Sequence, residues 1–145
     1  MKVDLLLADA AQVDDRNKVH AIGLGWTNVP TPTPNFTVVV ILDLDNSEVP
    51  NPITVHISLL DAERNPARPT DVEGPGGITI AAGGQAAPLG PERQGEPIRI
   101  PIAAPLGPLA LTPGLYFFRA TAVVGKAVEH AEQAFRVRSS IEELA

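Results

Sequence analysis

The sequence predicts an all-β domain, an antiparallel sandwich of about seven to nine short strands. Three observations predict it. The 145 residues contain 12 glycines and 15 prolines with no Gly-X-Y period, punctuation that suits short strands and turns better than long helices. Alternation of apolar and polar residues is clean in several segments, most of all from Ile53 to Leu60, as a half-buried strand requires. Polar turn clusters also recur at roughly 8–12-residue spacing.

Leu5 to Val13 reads as a first strand. Leu and Ala also favour helix, but the polar turn Asp14-Asp15-Arg16-Asn17 and the stretch Val19 to Trp26 continue the strand pattern and complete an opening hairpin. Val29 to Asn35 (VPTPTPN) carries alternating prolines and too few N–H donors for an internal strand, so it reads as an extended, polyproline-like crossover. Phe36 to Asp43 (FTVVVILD) is a nearly continuous β-branched run, expected of a central strand covered on both faces. Asp45 to Glu48, with Pro50 and Pro52, forms the next loop. Ile53, Val55, Ile57 and Leu59 then share one strand face, with Thr54, His56 and Ser58 on the other, and Asp61 to Pro66 closes as a turn.

From Ala67 to Pro97 the chain is glycine-rich and reads as loop, with one short strand at Ile78-Thr79-Ile80 and with Gly83-Gly84 as a turn. A loop of this length in a compact domain is usually functional or mobile. Ile98, Ile100 and Ile102 alternate with Arg99 and Pro101, which places a strand at a sheet edge. Leu109 to Val124 and Ala131 to Val137 form a last hairpin about Gly125-Lys126, with Tyr116, Phe118, Ala120, Ala122 and Val124 on one face. Ser139 to Leu144 has a Ser cap and early acidic residues, the makings of a short C-terminal helix or a frayed tail. The expected organisation is one sandwich domain over 1–138 and a tail over 139–145.

Charge and composition narrow the function. The net charge of −6 and the lack of any Lys/Arg cluster speak against nucleic acid and against an anionic membrane surface. With no cysteine, thiolate metal sites, disulfides and cysteine nucleophiles are impossible. Asp4 and Asp9 bracket too short an apolar run for a secretory or membrane segment, so a cytoplasmic location is expected.

Few residues signal chemistry. His20, His56 and His130 are far apart in sequence and read as solvated or hydrogen-bonded. Asp43, Asp45 and Glu48 are the best calcium candidate, since alternate acidic residues in a loop can gather oxygens. The EF-hand pattern is absent, however, and an acidic turn is the preferred reading. No serine lies in a G-x-S-x-G elbow, and Gly74 to Gly77 and Gly83-Gly84 lack the Lys and Ser/Thr of a phosphate loop. Trp26 follows Gly23 and Gly25 and reads as a core plug, with a stacking platform as the functional alternative.

Leu111-Thr112-Pro113-Gly114-Leu115-Tyr116 resembles the turn that enters the penultimate strand of many immunoglobulin-like domains. Pro113-Gly114 suits the centre of a type II turn, and Tyr116 can bond back to a nearby backbone group as in a tyrosine corner. The opening MKVDLLLADAAQV, Gly23-Leu24-Gly25-Trp26-Thr27, and Leu106-Gly107-Pro108 leading to Pro113-Gly114-Leu115-Tyr116 also resemble an uncharacterised family of small bacterial, mainly actinobacterial, β-sandwich proteins. That resemblance covers nearly the whole chain and implies an immunoglobulin-like sandwich, with no activity or binding residue attached. The expected function is a non-enzymatic, cofactor-free protein that binds a protein partner or its own copy. The alternative is a small-ligand or carbohydrate-binding module using Trp26 and the 67–97 loop.

Overall fold

The computed structural model describes residues 1–72 and 77–139. The segments in hydrogen-bonded ladders are β1 (Lys2–Ala8), β2 (Ala10–Val13), β3 (Val19–Ile22), β4 (Asn28–Pro30), β5 (Phe36–Leu44), β6 (Ile53–Leu60), β7 (Thr79–Gly84), β8 (Ile98–Leu106), β9 (Gly114–Val124) and β10 (Ala127–Arg138). A 3-10 turn spans Pro91–Arg93. The expected all-β sandwich is what forms. A sheet in the order β1-β5-β8 faces one in the order β4-β10-β9-β6-β7, and β2 and β3 pair as a separate ribbon. The expected helix over 139–145 lies, from residue 140 onward, outside the described residues.

The core lies between the two sheets. Leu5, Leu7, Val38, Val40, Leu42 and Leu44 on one sheet meet Val55, Ile57, Leu59, Phe118, Ala120 and Ala122 on the other. These are the alternate residues that strand periodicity places on one face. Aromatic rings fill one end. Phe118 and Phe135 stack at 5.3 Å, Tyr116 stacks on Phe135 at 5.8 Å, and Phe36 tilts against Phe118 at 5.9 Å.

Strand β5 is central, as its continuous apolar run predicts, with β1 and β8 on either side. Its second face is covered as well. Val39 points away from the main core yet is buried, and the β2–β3 ribbon packs over β5 and β8.

The opening hairpin differs from expectation. The segment Leu5 to Val13 is two strands, not one, broken at Asp9. Its first half pairs with β5 and only its second half pairs with β3. Burial decides the division. Leu5 and Leu7 reach the core on β1, whereas β2 has no buried residue. The returning strand stops at Ile22 rather than Trp26, because Gly23 and Gly25 turn the chain with φ of +65° and +91°. The Gly25 N–H then donates to the Leu7 carbonyl at 2.7 Å.

Three further segments are corrected. Strand β7 extends to Gly84, so Gly83-Gly84 is strand rather than turn. An edge position beside β6 tolerates residues that have little to pack. The first two residues of the proline-rich crossover, Val29 and Pro30, join Asn28 in a ladder parallel to β10. The last hairpin opens at Gly114 rather than Leu109. Leu109 and Leu111 are buried but bond across to Thr33 and Thr31 instead of a neighbouring strand. Gly114 has φ +156°, far from the roughly +80° of a type II turn, so Pro113-Gly114 is a strand entry and not that turn. At the other end, Gly125 with φ +59° supplies the left-handed residue that a two-residue hairpin loop requires.

Candidate functional site

Edges matter in a sandwich, because each one exposes an unpaired row of backbone groups. On one side β1 packs against β10 and closes the space between the sheets. On the other side the terminal strands are β7 and β8, and here the sandwich stays open.

The reason is in the side chains. Ile98, Ile100 and Ile102 lie opposite Leu44, Leu42 and Val40, so they share the inward face of the three-stranded sheet. Ile80, Ala82 and Gly84 lie opposite Ile57, Val55 and Ile53, so they share the inward face of the five-stranded sheet. That second row shrinks from isoleucine to alanine to no side chain. Ala82 and Gly84 are too small to meet the isoleucines of β8, which remain only half-buried.

The result is a cleft of about 450 Å³ with Ile53 and Val55 as its floor, Ala82 to Ala87 as one wall and Ile98, Ile100 and Ile102 as the other. Ligand sites commonly have this size and apolar character. Polar groups sit at the rim: Asn17 from the tip of the β2–β3 ribbon, Gln85 and Arg99. Arg99 donates two hydrogen bonds to Asp43, at 2.7 and 2.9 Å, and holds that carboxyl below its ordinary range.

The acidic loop is not assembled as a cation site. Asp43 is taken by Arg99. Asp45 accepts from the backbone N–H and the hydroxyl of Ser47, which holds its carboxyl low. Glu48 accepts from the Asp45 N–H at 3.1 Å and pairs with the Met1 amino group at 3.0 Å. Among the described residues, no group of three or more His, Asp or Glu side chains is placed to hold a metal ion.

The histidines are closer in space than in sequence. Thr121 lies opposite both His56 on β6 and His130 on β10, so the three form one row across the outer face of the large sheet. His130 Nδ1 is 3.0 Å from the Thr121 hydroxyl. Strand pairing creates that row, and no spacing in the sequence announces it. His20 Nε2 sits 2.7 Å from Asp14, whose other oxygen accepts from the N–H groups of Arg16 and Lys18. The hydrogen bond from His20 is the main reason the Asp14 carboxyl falls to about 2.

Trp26 is half-buried and does not line the cleft. Phe36 and Phe135 pack edge-on to it at 5.5 and 5.8 Å, and its Nε1 is buried without a hydrogen-bond acceptor. The Tyr116 hydroxyl donates to the Thr112 carbonyl at 2.7 Å and lies 2.9 Å from the Thr112 hydroxyl. Tyr116 thus ties the entry of β9 to the preceding segment.

Fold and cleft together define an all-β sandwich with one open edge. No protein-family model matches the chain, and no curated protein matches it in sequence. A solved structure similar to it is the soluble domain of PmoD from Methylocystis sp. ATCC 49242 (Rockwell), with 14% identity over 94% of this chain and 90% of that one, at a TM-score of 0.39.

Proposed function

We propose that the chain is a non-enzymatic binding protein that takes a partner polypeptide at the open β7–β8 edge. The observation that carries this is the mismatch of Ile98, Ile100 and Ile102 with Ala82 and Gly84, which leaves an apolar cleft where a closed sandwich would bury its isoleucines. Covering the half-buried isoleucines favours association. The lining supports a non-catalytic role. Among the described residues its one charged group is Arg99, already bound to Asp43, and no carboxylate, histidine or serine lines the cleft. A net charge of −6 disfavours a second copy as the occupant. Two phenylalanines packed on the indole of Trp26 leave a sugar platform there without support. The corner at Tyr116 supports an immunoglobulin-like reading of the sandwich.

The test is to fill the cleft. Proteins retained by the immobilised chain from a native extract should be lost with Ala82→Phe, while its melting temperature does not fall. Equal retention by the variant would refute the site.

A further inference from the structure

The two main sheets have four edges, and three are protected. β1 is covered by β10. β4 is three residues long and ends in Pro30. β8 carries Pro101 and Pro105. Neither proline can donate to the ladder, and being of one parity they remove donors from the same side of the strand. β7, Thr-Ile-Ala-Ala-Gly-Gly, has no proline and no charged residue. Natural sheets blunt exposed edges with such residues, and among the described residues one edge alone is left plain.

Backbone direction along β7 follows from one hydrogen bond. The Leu59 N–H donates to the Ile78 carbonyl at 3.1 Å, so these two are a hydrogen-bonded pair in the register that continues through Ile57 and Ile80. Such pairs alternate along an antiparallel ladder. Ile80, Ala82 and Gly84 therefore bond to β6, while the N–H and C=O groups of Thr79, Ala81 and Gly83 point away from it. Among the described residues, no strand pairs with that edge.

From this we propose, building on the function inferred above, that the partner segment binds as an extended strand added to β7. A row of donors and acceptors at strand spacing is matched by another extended backbone, and a small apolar ligand would leave it unpaired. Side chains directly across a ladder share a face. Residues of the added strand opposite Thr79, Ala81 and Gly83 therefore bond to β7 and point outward, and those between them point inward over Ala82 and Gly84. The partner segment is apolar at these inward positions, where it meets Ile98 and Ile100. Its flanks are basic, complementing the net charge of −6.

The test uses a blocked heptapeptide, Lys-Val-Thr-Val-Thr-Val-Lys, and two N-methylated forms. Binding is read by amide shifts and hydrogen exchange of the full-length protein. The parent peptide should slow exchange at Thr79, Ala81 and Gly83. N-methylation at the two threonines should weaken binding by about tenfold or more, for two lost hydrogen bonds, and N-methylation at the valines should not. Equal binding of all three peptides, lost with Ala82→Phe, would overturn the added strand and leave the cleft standing. Indifference to Ala82→Phe would overturn the cleft as well. Protection of β7 that grows with protein concentration and needs no peptide would make a second copy the occupant and overturn the proposal, as would no binding by any peptide.

Discussion

Enlarging Ala82 should stabilise this protein, which is unusual for an inward-facing position in a sandwich. Ala82 lies opposite Val55, whose side chain is in the core, and it forms part of the cleft wall. Ala82→Ile adds three carbons, worth about 0.8 kcal/mol each when fully buried. The wall is half-open to solvent, so the gain is about 1 kcal/mol. In a filled interior the same substitution would cost about 1–3 kcal/mol by overpacking. The sign therefore reports whether the space exists. Strand propensity also favours isoleucine, on a scale spanning about 1 kcal/mol, so Ala81→Ile on the exposed face of the same strand is the control. Urea denaturation is the assay. With a slope of roughly 1–3 kcal/mol per molar, the midpoint should rise by roughly 0.3–1 M beyond the control with the slope unchanged. A lowered midpoint for Ala82→Ile would mean that β7 is packed against β8, and the cleft would be lost as a site.

The opposite wall gives a paired comparison: Ile57→Ala, in the closed core at 1% exposure, should cost about 2–5 kcal/mol, and Ile100→Ala clearly less, because no new cavity forms where one is already open. Tyr116→Phe should cost about 0.5–1.5 kcal/mol for the lost bond to the Thr112 carbonyl, against about 3–5 kcal/mol for Tyr116→Ala, in the same denaturation assay. The Asp14 carboxyl should titrate near 2 by carbon-13 NMR and return towards its ordinary 3.8 in His20→Ala. Because its folded value is the lower one, the stabilisation is complete above the ordinary value and disappears as pH falls from about 4 through about 2. Limited proteolysis should cut first between Gln85 and Pro97, where the only regular structure is the Pro91–Arg93 turn, and should spare β7, which is held by β6.

Much of this architecture was legible because burial follows the strand period. Phe36 to Asp43 declared a central strand, Ile53 to Leu60 a half-covered one, and Pro101 an edge, and each took its expected place. Errors arose where local pattern was silent about pairing. Leu5 to Val13 has one continuous strand-like composition, and only the competition between β5 and β3 for its two halves divides it at Asp9. Gly83 and Gly84 look like turn residues because turn propensity is local, whereas an edge ladder beside Ile53 and Thr54 is not.

The cleft was half-written in the same way. Its isoleucine wall is visible as Ile98-x-Ile100-x-Ile102, and its small wall as Ala82-Gly83-Gly84. What no single segment contains is that the two end opposite sheets on the same side and share no hydrogen bond. Either row alone has an ordinary explanation: an apolar strand face seeking cover, or a weak edge. Only when they face one another does the deficit of volume become a place for something else. A close-packed interior leaves few voids larger than water, whereas here alanine and glycine keep an apolar gap of about 450 Å³ open between the two edge strands.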